Sequence, residues 1–336
     1  MPARDRNTLT QDFIAQSPAM VGVMRRVGLY ARARTPLLLV GATGTGKTTI
    51  AELLHAWAGR CGPFSSHTAG EFDRNLERSQ IFGHERGAFT GAIDRHIGVL
   101  EEAGDGTLLL DDFHHLRRST QIILLRVLDH GVFRRLHASR DLPLRCRVMI
   151  GLVESPDRLV ERGRMLEELR YRLGYCMIRL PTLSERADDI PLLAEQFLAR
   201  CPAETGESGP TRFSPEVIAL LQVAAWPGNL RQLAMIVRDA YLHACGSAAV
   251  RLEHLAELVH LPVRFERRGD PAANARAVRL AMEVTKGRVD GAARLLRMSR
   301  TTVYHYLGTR GGRSPPALPS WPPQDRELDT SSPARG

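Results

Sequence analysis

The chain has 336 residues, 43% of them hydrophobic, and a formal net charge of +9. That length suggests two or three domains, and that composition excludes a disordered chain. No apolar run approaches the ~20 residues needed to span a bilayer, and the opening "MPARDRNTLTQDF" lacks the apolar core of a signal peptide, so a cytoplasmic protein without a membrane partner is expected. The five cysteines are scattered, with no C-x-x-C pair, which favours reduced thiols over zinc or disulfides. The positive charge permits nucleic-acid binding without requiring it. Lys47 and Lys286 are the only lysines; the other formally positive side chains are arginine. A lysine kept against that bias is informative, and Lys47 lies in a glycine-rich loop.

In chain order, "TPLLLVGATGTGKTT" reads as a buried strand, 37–40, then Gly41, Ala42, Thr43, Gly44, Thr45, Gly46, Lys47 and Thr48, then a helical pattern. Strand, phosphate loop and helix are the context that confirms this motif. The glycines let backbone N–H groups face phosphates, and the helix N-terminus adds positive potential. Lys47 is expected to reach the β- and γ-phosphates and the Thr48 hydroxyl to bind Mg²⁺. No N-K-x-D occurs, so ATP is expected rather than a guanine nucleotide. A strand follows at 64–67. In the next segment, "GHERGAFTGA", the apolar spacing fits neither helix nor strand, and Phe89 sits between glycines. A strand at 107–110 runs into Asp111 and Asp112, at the carboxyl end where ligands sit in open α/β sheets. The first acid suits Mg²⁺, and the second could polarise a water. His114 and His115 read as loop histidines, since nothing else stands at metal-ligand spacing. Strands at 146–152 and 176–180 complete an α/β alternation that predicts a parallel sheet.

The predicted ATPase core covers 15–198, after an N-terminal extension, 1–14, and a helical lid covers 199–261. In the lid, "SPEVIALLQVAAW" has helical spacing, with Ser214 as N-cap and Pro215 in the first turn. A charged linker, 262–274, leads to a module at 275–311. Its first helix, about 271–285, ends near Gly287; its second starts after Asp290; its third starts after Ser299 and runs to Leu307. This reads as a helix-turn-helix. Val303 and Leu307 would pack inward, and Arg300, Thr301, Thr302, Tyr304 and His305 would face the major groove of double-stranded DNA. Lys286, Arg288, Arg294 and Arg297 could meet phosphates, which position without specifying. The Pro- and Ser-rich tail, 312–336, is expected to be disordered.

These residues resemble one family closely: the bacterial enhancer-binding proteins, AAA+ activators of sigma-54 RNA polymerase. The resemblance runs from about Ser17 to Leu307 and rests on "IFGHERGAFTGA", "QIILLRVLDHGVFRRL", "IRLPTLSERADDIPLLAEQFL" and "WPGNLRQL". It implies an α/β AAA+ P-loop ATPase with a parallel sheet, a helical lid and a C-terminal Fis-like helix-turn-helix. It further implies an ATP-driven ring, homo- or hetero-hexameric, with nucleotide held between neighbours. Gly87, Ala88, Phe89, Thr90, Gly91 and Ala92 match the loop that touches sigma-54. Asp111 takes the Mg²⁺ role, Arg172 matches an arginine finger reaching the next subunit, and Arg231 matches the second-sensor arginine. The two arginines would stabilise charge developing on the γ-phosphate. The implied function is activation of sigma-54 holoenzyme from an upstream activating sequence.

Four positions depart from the family pattern. Its Asp-Glu pair is here Asp111-Asp112; its glutamate-restraining asparagine aligns with Thr68; its first sensor aligns with Val153; its other arginine finger aligns with Leu166, with Arg164 nearby. Thr48 runs the other way, since the family often has glutamate there. In the helix-turn-helix, Arg297 stands where the turn usually has glycine. The departures raise a second reading: an ATP-binding, DNA-tethered subunit that hydrolyses poorly and works in a mixed ring. A third, a different AAA+ machine such as a clamp loader or unfoldase, is disfavoured by the sigma-contact loop and the DNA-binding end. The family's usual sensory domain before the ATPase is expected to be missing.

Overall fold

The computed structural model describes residues 13–255 and most of 275–307, excepting 276, 280, 283, 284, 286 and 297. The expected extension to residue 12, the linker at 262–274, the tail at 312–336, Lys286 and Arg297 lie outside the described residues. The chain divides after Leu261 into two compact units.

The larger unit is built on a parallel sheet. Its strands are β1 (Leu37–Val40), β2 (Phe64–Thr68), β3 (Thr107–Asp111), β6 (Arg147–Leu152) and β7 (Met177–Arg179). Their order is β2-β3-β6-β1-β7, and every pairing is parallel. The strand segments read from sequence are all present, with ends shifted by a residue or so. Alternating residues explain why the apolar runs are continuous. Leu38, Val40, Leu108, Leu110, Val148 and Ile150 enter one core, and Leu37, Leu39, Leu109, Met149 and Ile178 enter the other. A sheet covered on both faces needs apolar residues at both parities.

Helices α1 (Pro18–Ala31) and α2 (Lys47–Ala58) cover one face. The other carries the short α3 (Glu77–Phe82) and α4 (Val99–Glu102), then α5 (Arg118–His130), α6 (Pro156–Glu161) and α7 (Glu167–Leu173). A small antiparallel hairpin, β4 (Val132–Phe133) with β5 (Leu142–Pro143), projects after α5. Arg147, 1% exposed, ties the sheet to α1: its guanidinium donates to the carbonyls of Tyr30, Ala31 and Thr35 at 2.8, 3.0 and 3.3 Å. Carbonyls in the last turn of a helix lack intrahelical donors, and Arg147 serves that end of α1 together with the Ala33 N–H, which donates to the Tyr30 carbonyl at 3.1 Å.

The lid consists of α8 (Ile190–Thr205), α9 (Pro215–Val223) and α10 (Asn229–His243). Helix α8 runs straight through residue 198, the boundary expected from sequence, and packs on both other lid helices. It begins at Ile190 with Pro191 in its first turn, so this helix belongs to the helical layer as a whole. Ser214 is the N-cap of α9 by position, yet its side chain makes no capping bond.

In the second unit, residues 275, 277–279, 281 and 282 are helical. Gly287, at φ +77, closes that helix by donating its N–H to the Met282 carbonyl at 2.7 Å. Next come α11 (Val289–Leu295) and α12 (Arg300–Tyr306). Asp290, expected as an N-cap, lies inside the first turn of α11 and pairs with Arg300. Ser299 is the true N-cap of α12, accepting from the Thr302 N–H at 3.2 Å. Val303 is fully buried, while Leu307 is only half-buried.

One buried carboxylate joins the N-terminal segment to the start of the lid. Asp189 accepts from the backbone N–H groups of Gln16 and Ser17 at 2.8 and 2.7 Å and from the Ser17 hydroxyl at 2.8 Å. Replacing Asp189 by alanine strands three buried or half-buried donors, and urea denaturation should report a loss of about 2–4 kcal/mol.

Candidate functional site

The phosphate loop connects β1 to α2 at the carboxyl end of the sheet. Gly44 and Gly46 have φ of +77 and +101, a region glycine enters freely. Lys47 is 6% exposed; its ammonium donates to the Gly41 carbonyl at 3.1 Å and lies 3.6 Å from Asp111 Oδ1. Asp111 ends β3 and also accepts from the Asp112 N–H at 2.9 Å. Neighbouring β6 passes so close that a Cβ on Gly151 would fall 2.0 Å from Asp111 Oδ1. Thr48 is exposed at the start of α2. An exposed hydroxyl and a carboxylate beside a buried ammonium are hard oxygen donors of the kind Mg²⁺ takes, so the donor set fits that ion.

The lid closes over this loop. The Leu230 N–H donates to the Gly44 carbonyl at 3.0 Å, and Asn229 Nδ2 donates to the Thr43 carbonyl at 2.9 Å. Asn229 Oδ1 accepts from the Leu183 N–H at 2.8 Å. Asn229 has φ +50, uncommon outside glycine but more accessible to asparagine than to most residues. Arg231, two residues beyond Asn229 in α10, is exposed, and its side chain has no polar partner among the described residues. Its Cβ would be 3.3 Å from a Cβ added at Gly44, so the guanidinium is rooted beside the loop. The buried Arg186 donates to the Thr45 carbonyl at 3.2 Å, and burial pushes its guanidinium down from the usual arginine range. A slot of about 120 Å³ between loop and lid is lined by Phe13, Ile14, Ile50, Leu193, Phe197 and Leu230, among others. Sequence reasoning missed this slot, Asn229 and Arg186. The asparagine before a helix in "WPGNL" was the available signal, since asparagine tolerates left-handed turns.

Asp112 also has a positive φ, +51. Its Oδ1 is buried and without a hydrogen-bond partner, and the same is true of His114 Nδ1 two residues on. Burial, and then His115, lower the His114 imidazole, while Asp112 and Glu154 act the other way. His114 is thus half-buried beside the acids rather than a plain exposed loop histidine. Thr68 pairs with Asp111 across β2 and β3. Val153 follows the end of β6 and is half-buried. Leu166 is 5% exposed in the core, and its N–H donates to Gln121 Oε1 at 3.0 Å. Arg172 is not at this site. It lies toward the opposite end of the sheet, pairing with Asp129 at 2.7 Å and donating to the Leu128 carbonyl at 2.9 Å.

The Gly87–Ala92 loop rises from a strapped stem. His84 and His96 exchange both backbone hydrogen bonds, and Glu85 donates to the Leu136 carbonyl. At the tip, Gly87 and Gly91 have φ of +81 and +100, and the Gly87 N–H donates to the Ala92 carbonyl at 2.8 Å. Phe89 rests edge-on against His84, centroids 4.9 Å apart, and remains 37% exposed. Ile93, just outside the hexapeptide, is 73% exposed. Below, Arg135 grips Glu85 at 2.6 Å and Glu101 at 2.6 and 2.8 Å. The Arg135 hydrogen bonds hold the Glu101 carboxyl below its ordinary value.

Comparison with known proteins decides the family. Residues 13–179 match the sigma-54 interaction domain, and residues 184–268 match the AAA+ ATPase lid domain. The transcriptional regulatory protein GlrR of Escherichia coli is 33% identical over 313 residues, covering 91% of this chain and 69% of that protein. The transcriptional regulator NtrC of Salmonella typhimurium is 33% identical over 335 residues, covering 91% and 71%. This chain belongs to the sigma-54 activator family. The crystal structure of NtrX from Brucella abortus in complex with ATP shares the fold of this activator at a TM-score of 0.66 and 26% identity, over 88% of this chain and 68% of that one. The ADP complex of NtrX gives 0.69 and 25%, over 90% and 71%. Among the described residues of this activator, no helix is long and apolar enough to cross a membrane.

The tight approach of lid and loop makes a simple prediction. A Cβ at Gly44 would meet the Gly228 carbonyl at 2.3 Å, at a φ that L-residues avoid. Gly44→Ala should therefore weaken binding of a fluorescent ATP analogue by about tenfold or more, the scale of ~1.4 kcal/mol, in an equilibrium titration.

Proposed function

We propose that this activator binds ATP between copies of a hexameric ring, remodels sigma-54 holoenzyme through Phe89 and its neighbours, and holds upstream DNA through its second unit. The observation that carries this reading is the buried Lys47, poised against Asp111 and roofed by the lid, in one compact unit with an intact Gly87–Ala92 loop. Lys47 would neutralise the β- and γ-phosphates, and the loop N–H groups would orient them. Thr48 and Asp111 would hold Mg²⁺, which supplies charge neutralisation on the triphosphate when bound. The apolar side of the slot, from Ile14 to Leu230, is suited to the adenine ring, and Arg231 would reach the γ-phosphate from the lid. Arg172, remote from its own loop, would serve the site of the next subunit. In the second unit, α12 would lie in the major groove. Thr301 and His305 are exposed and Thr302 and Tyr304 half-exposed, while Arg300 would exchange its Asp290 partner for DNA.

A second reading, weak hydrolysis in a mixed ring with a better-equipped partner, is favoured by the water-positioning shell. Relative to the glutamate of its family, Asp112 withdraws its carboxylate by about 1.5 Å, one carbon–carbon bond. Misplacement of ~1 Å can cost ~100-fold in rate. The buried, unpartnered Asp112 Oδ1 and the apolar Val153 and Leu166 point the same way.

In vitro open-complex formation with sigma-54 polymerase tests the leading reading: the wild-type chain should open the promoter with ATP and the Lys47→Ala chain should not. ATP turnover of the purified protein separates the two readings. A rate normal for the family would remove the second, whereas a slow rate raised tenfold or more by Asp112→Glu, within the ~100-fold scale of such misplacements, would establish it. Phe89→Ala should leave ATP binding intact and abolish sigma-54 capture in a pull-down. Loss of nucleotide binding in that variant would instead make Phe89 a packing residue.

A further inference from the structure

At the amino end of the sheet, opposite the phosphate loop, lies a cleft of about 1090 Å³. It opens where β1, β3 and β6 begin and where α1 and α2 end. Its wall carries Arg32, Arg34, Arg60, Arg145 and Arg172 against a single carboxylate, Asp105. The roles assigned so far use only Arg172.

Ordinary structural duties do not account for the rest. Cations are common at helix C-termini, but the end of α1 is already served by the buried Arg147. Arg60 is occupied with the carbonyls of Asp105 and Gly106, at 3.3 and 3.2 Å. Arg172 has Asp129. Arg32, Arg34 and Arg145 are exposed, and their side chains have no hydrogen bond or ion pair among the described residues. The cations also press on one another: burial and then Arg34 lower the Arg60 guanidinium, and burial and then Arg60 bring Arg147 to about 10. Like charges held around a concavity raise its potential and the local concentration of anions.

We propose that this cleft is a receptor for an oligophosphate group. Its five guanidiniums and one carboxylate leave four positive charges on the wall, or three once Asp129 is set against Arg172. That range matches a triphosphate. Guanidinium forks match phosphate oxygens in pairs, and the volume lies just above the roughly 300–1,000 Å³ span of small-ligand sites. No Phe, Tyr or Trp lines the cleft. It therefore lacks the stacking platform of a single-stranded nucleic-acid groove, and phosphate is the group it can recognise. Two sources carry that chemistry: a free polyphosphorylated ligand, or the triphosphate in the phosphate loop of the next copy. The second source rests on the ring proposed above and would make Arg34 and Arg145 companions of Arg172.

Two arms separate the sources, both on the full chain. In the first, inorganic tripolyphosphate is titrated by calorimetry at low salt into Lys47→Ala, whose own loop is disabled, and into the same chain also carrying Arg34→Ala and Arg145→Ala. A free-ligand site predicts about one equivalent bound, weakened at least about tenfold by the arginine changes, the scale on which charge-assisted bonds act. In the second, Lys47 is intact and nucleotide-dependent self-association is followed by light scattering. A neighbour's triphosphate predicts that Arg34→Ala with Arg145→Ala loses self-association while each chain still binds ATP. The altered arginines are exposed, and an unchanged thermal midpoint confirms that the fold is retained. The proposal is overturned if neither arm responds, or if duplex DNA and not tripolyphosphate is what the arginines hold. ATP binding by the wild-type chain is read separately, so failure of the phosphate-loop reading leaves the first arm intact.

Discussion

The site depends on the contact through which the lid holds the phosphate loop. Asn229 spends its amide on the Thr43 carbonyl and its oxygen on the Leu183 N–H, while Leu230 donates to Gly44. These bonds take up carbonyls on the outer side of the loop. They use none of its N–H groups, the groups that would stabilise phosphate charge. The same contact places Arg231, one residue beyond Leu230, over the loop. A lid displaced by an ångström would move both the loop carbonyls and the guanidinium, so binding and lid position are mechanically one variable.

A second set of bonds joins this site to the exposed loop. Asp111 is the last residue of β3, and α4, carrying Glu101, leads directly into that strand. Arg135 clasps Glu101 to Glu85, in the stem below Phe89. Its side chain is 10% exposed, which shields these pairs from the screening that makes surface ion pairs weak. The stem itself is a backbone ladder between His84 and His96, with a further strand-like bridge to Leu136. The tip is therefore carried on a stem fixed to the strand that ends at Asp111, and it turns through the positive-φ glycines, Gly87 and Gly91.

Much of this was legible in the sequence because local chemistry determines it. The strands are short, fully buried apolar runs, and the phosphate loop must use glycine wherever its φ is positive. What was missed depends on contacts between distant segments. Nothing near Asp189 announces that it will receive Ser17, 172 residues away. The slot between loop and lid draws Phe13 and Phe197 from segments far apart in the chain. A helix crosses the expected 198 boundary because "IPLLAEQFLARC" is continuously helical, and helical spacing alone does not say which layer a helix packs on. Asp290 looked like a cap by residue type, but the turn before it is closed by Thr285, whose hydroxyl lies 3.0 Å from the Arg288 carbonyl.

The altered positions divide in a way that bears on ring composition. On the proposed reading, Asp112, Thr68 and Val153 would belong to the chain's own nucleotide site, whereas Leu166, like the matched Arg172, would stand at a position that serves the next subunit. In a ring of identical copies every site would combine a short, withdrawn carboxylate with a missing second arginine. Leu166 cannot be rescued by rotation, because it is packed in the core and its backbone is held by Gln121. In a ring alternating with a complete partner, the two losses would fall on different sites. One site would have this chain's loop and the partner's arginines; the other would have the partner's loop and this chain's Arg172. Each would keep one complete half. If the two losses act independently, their energetic costs add only when they share a site, so alternation would spare every site the combined loss.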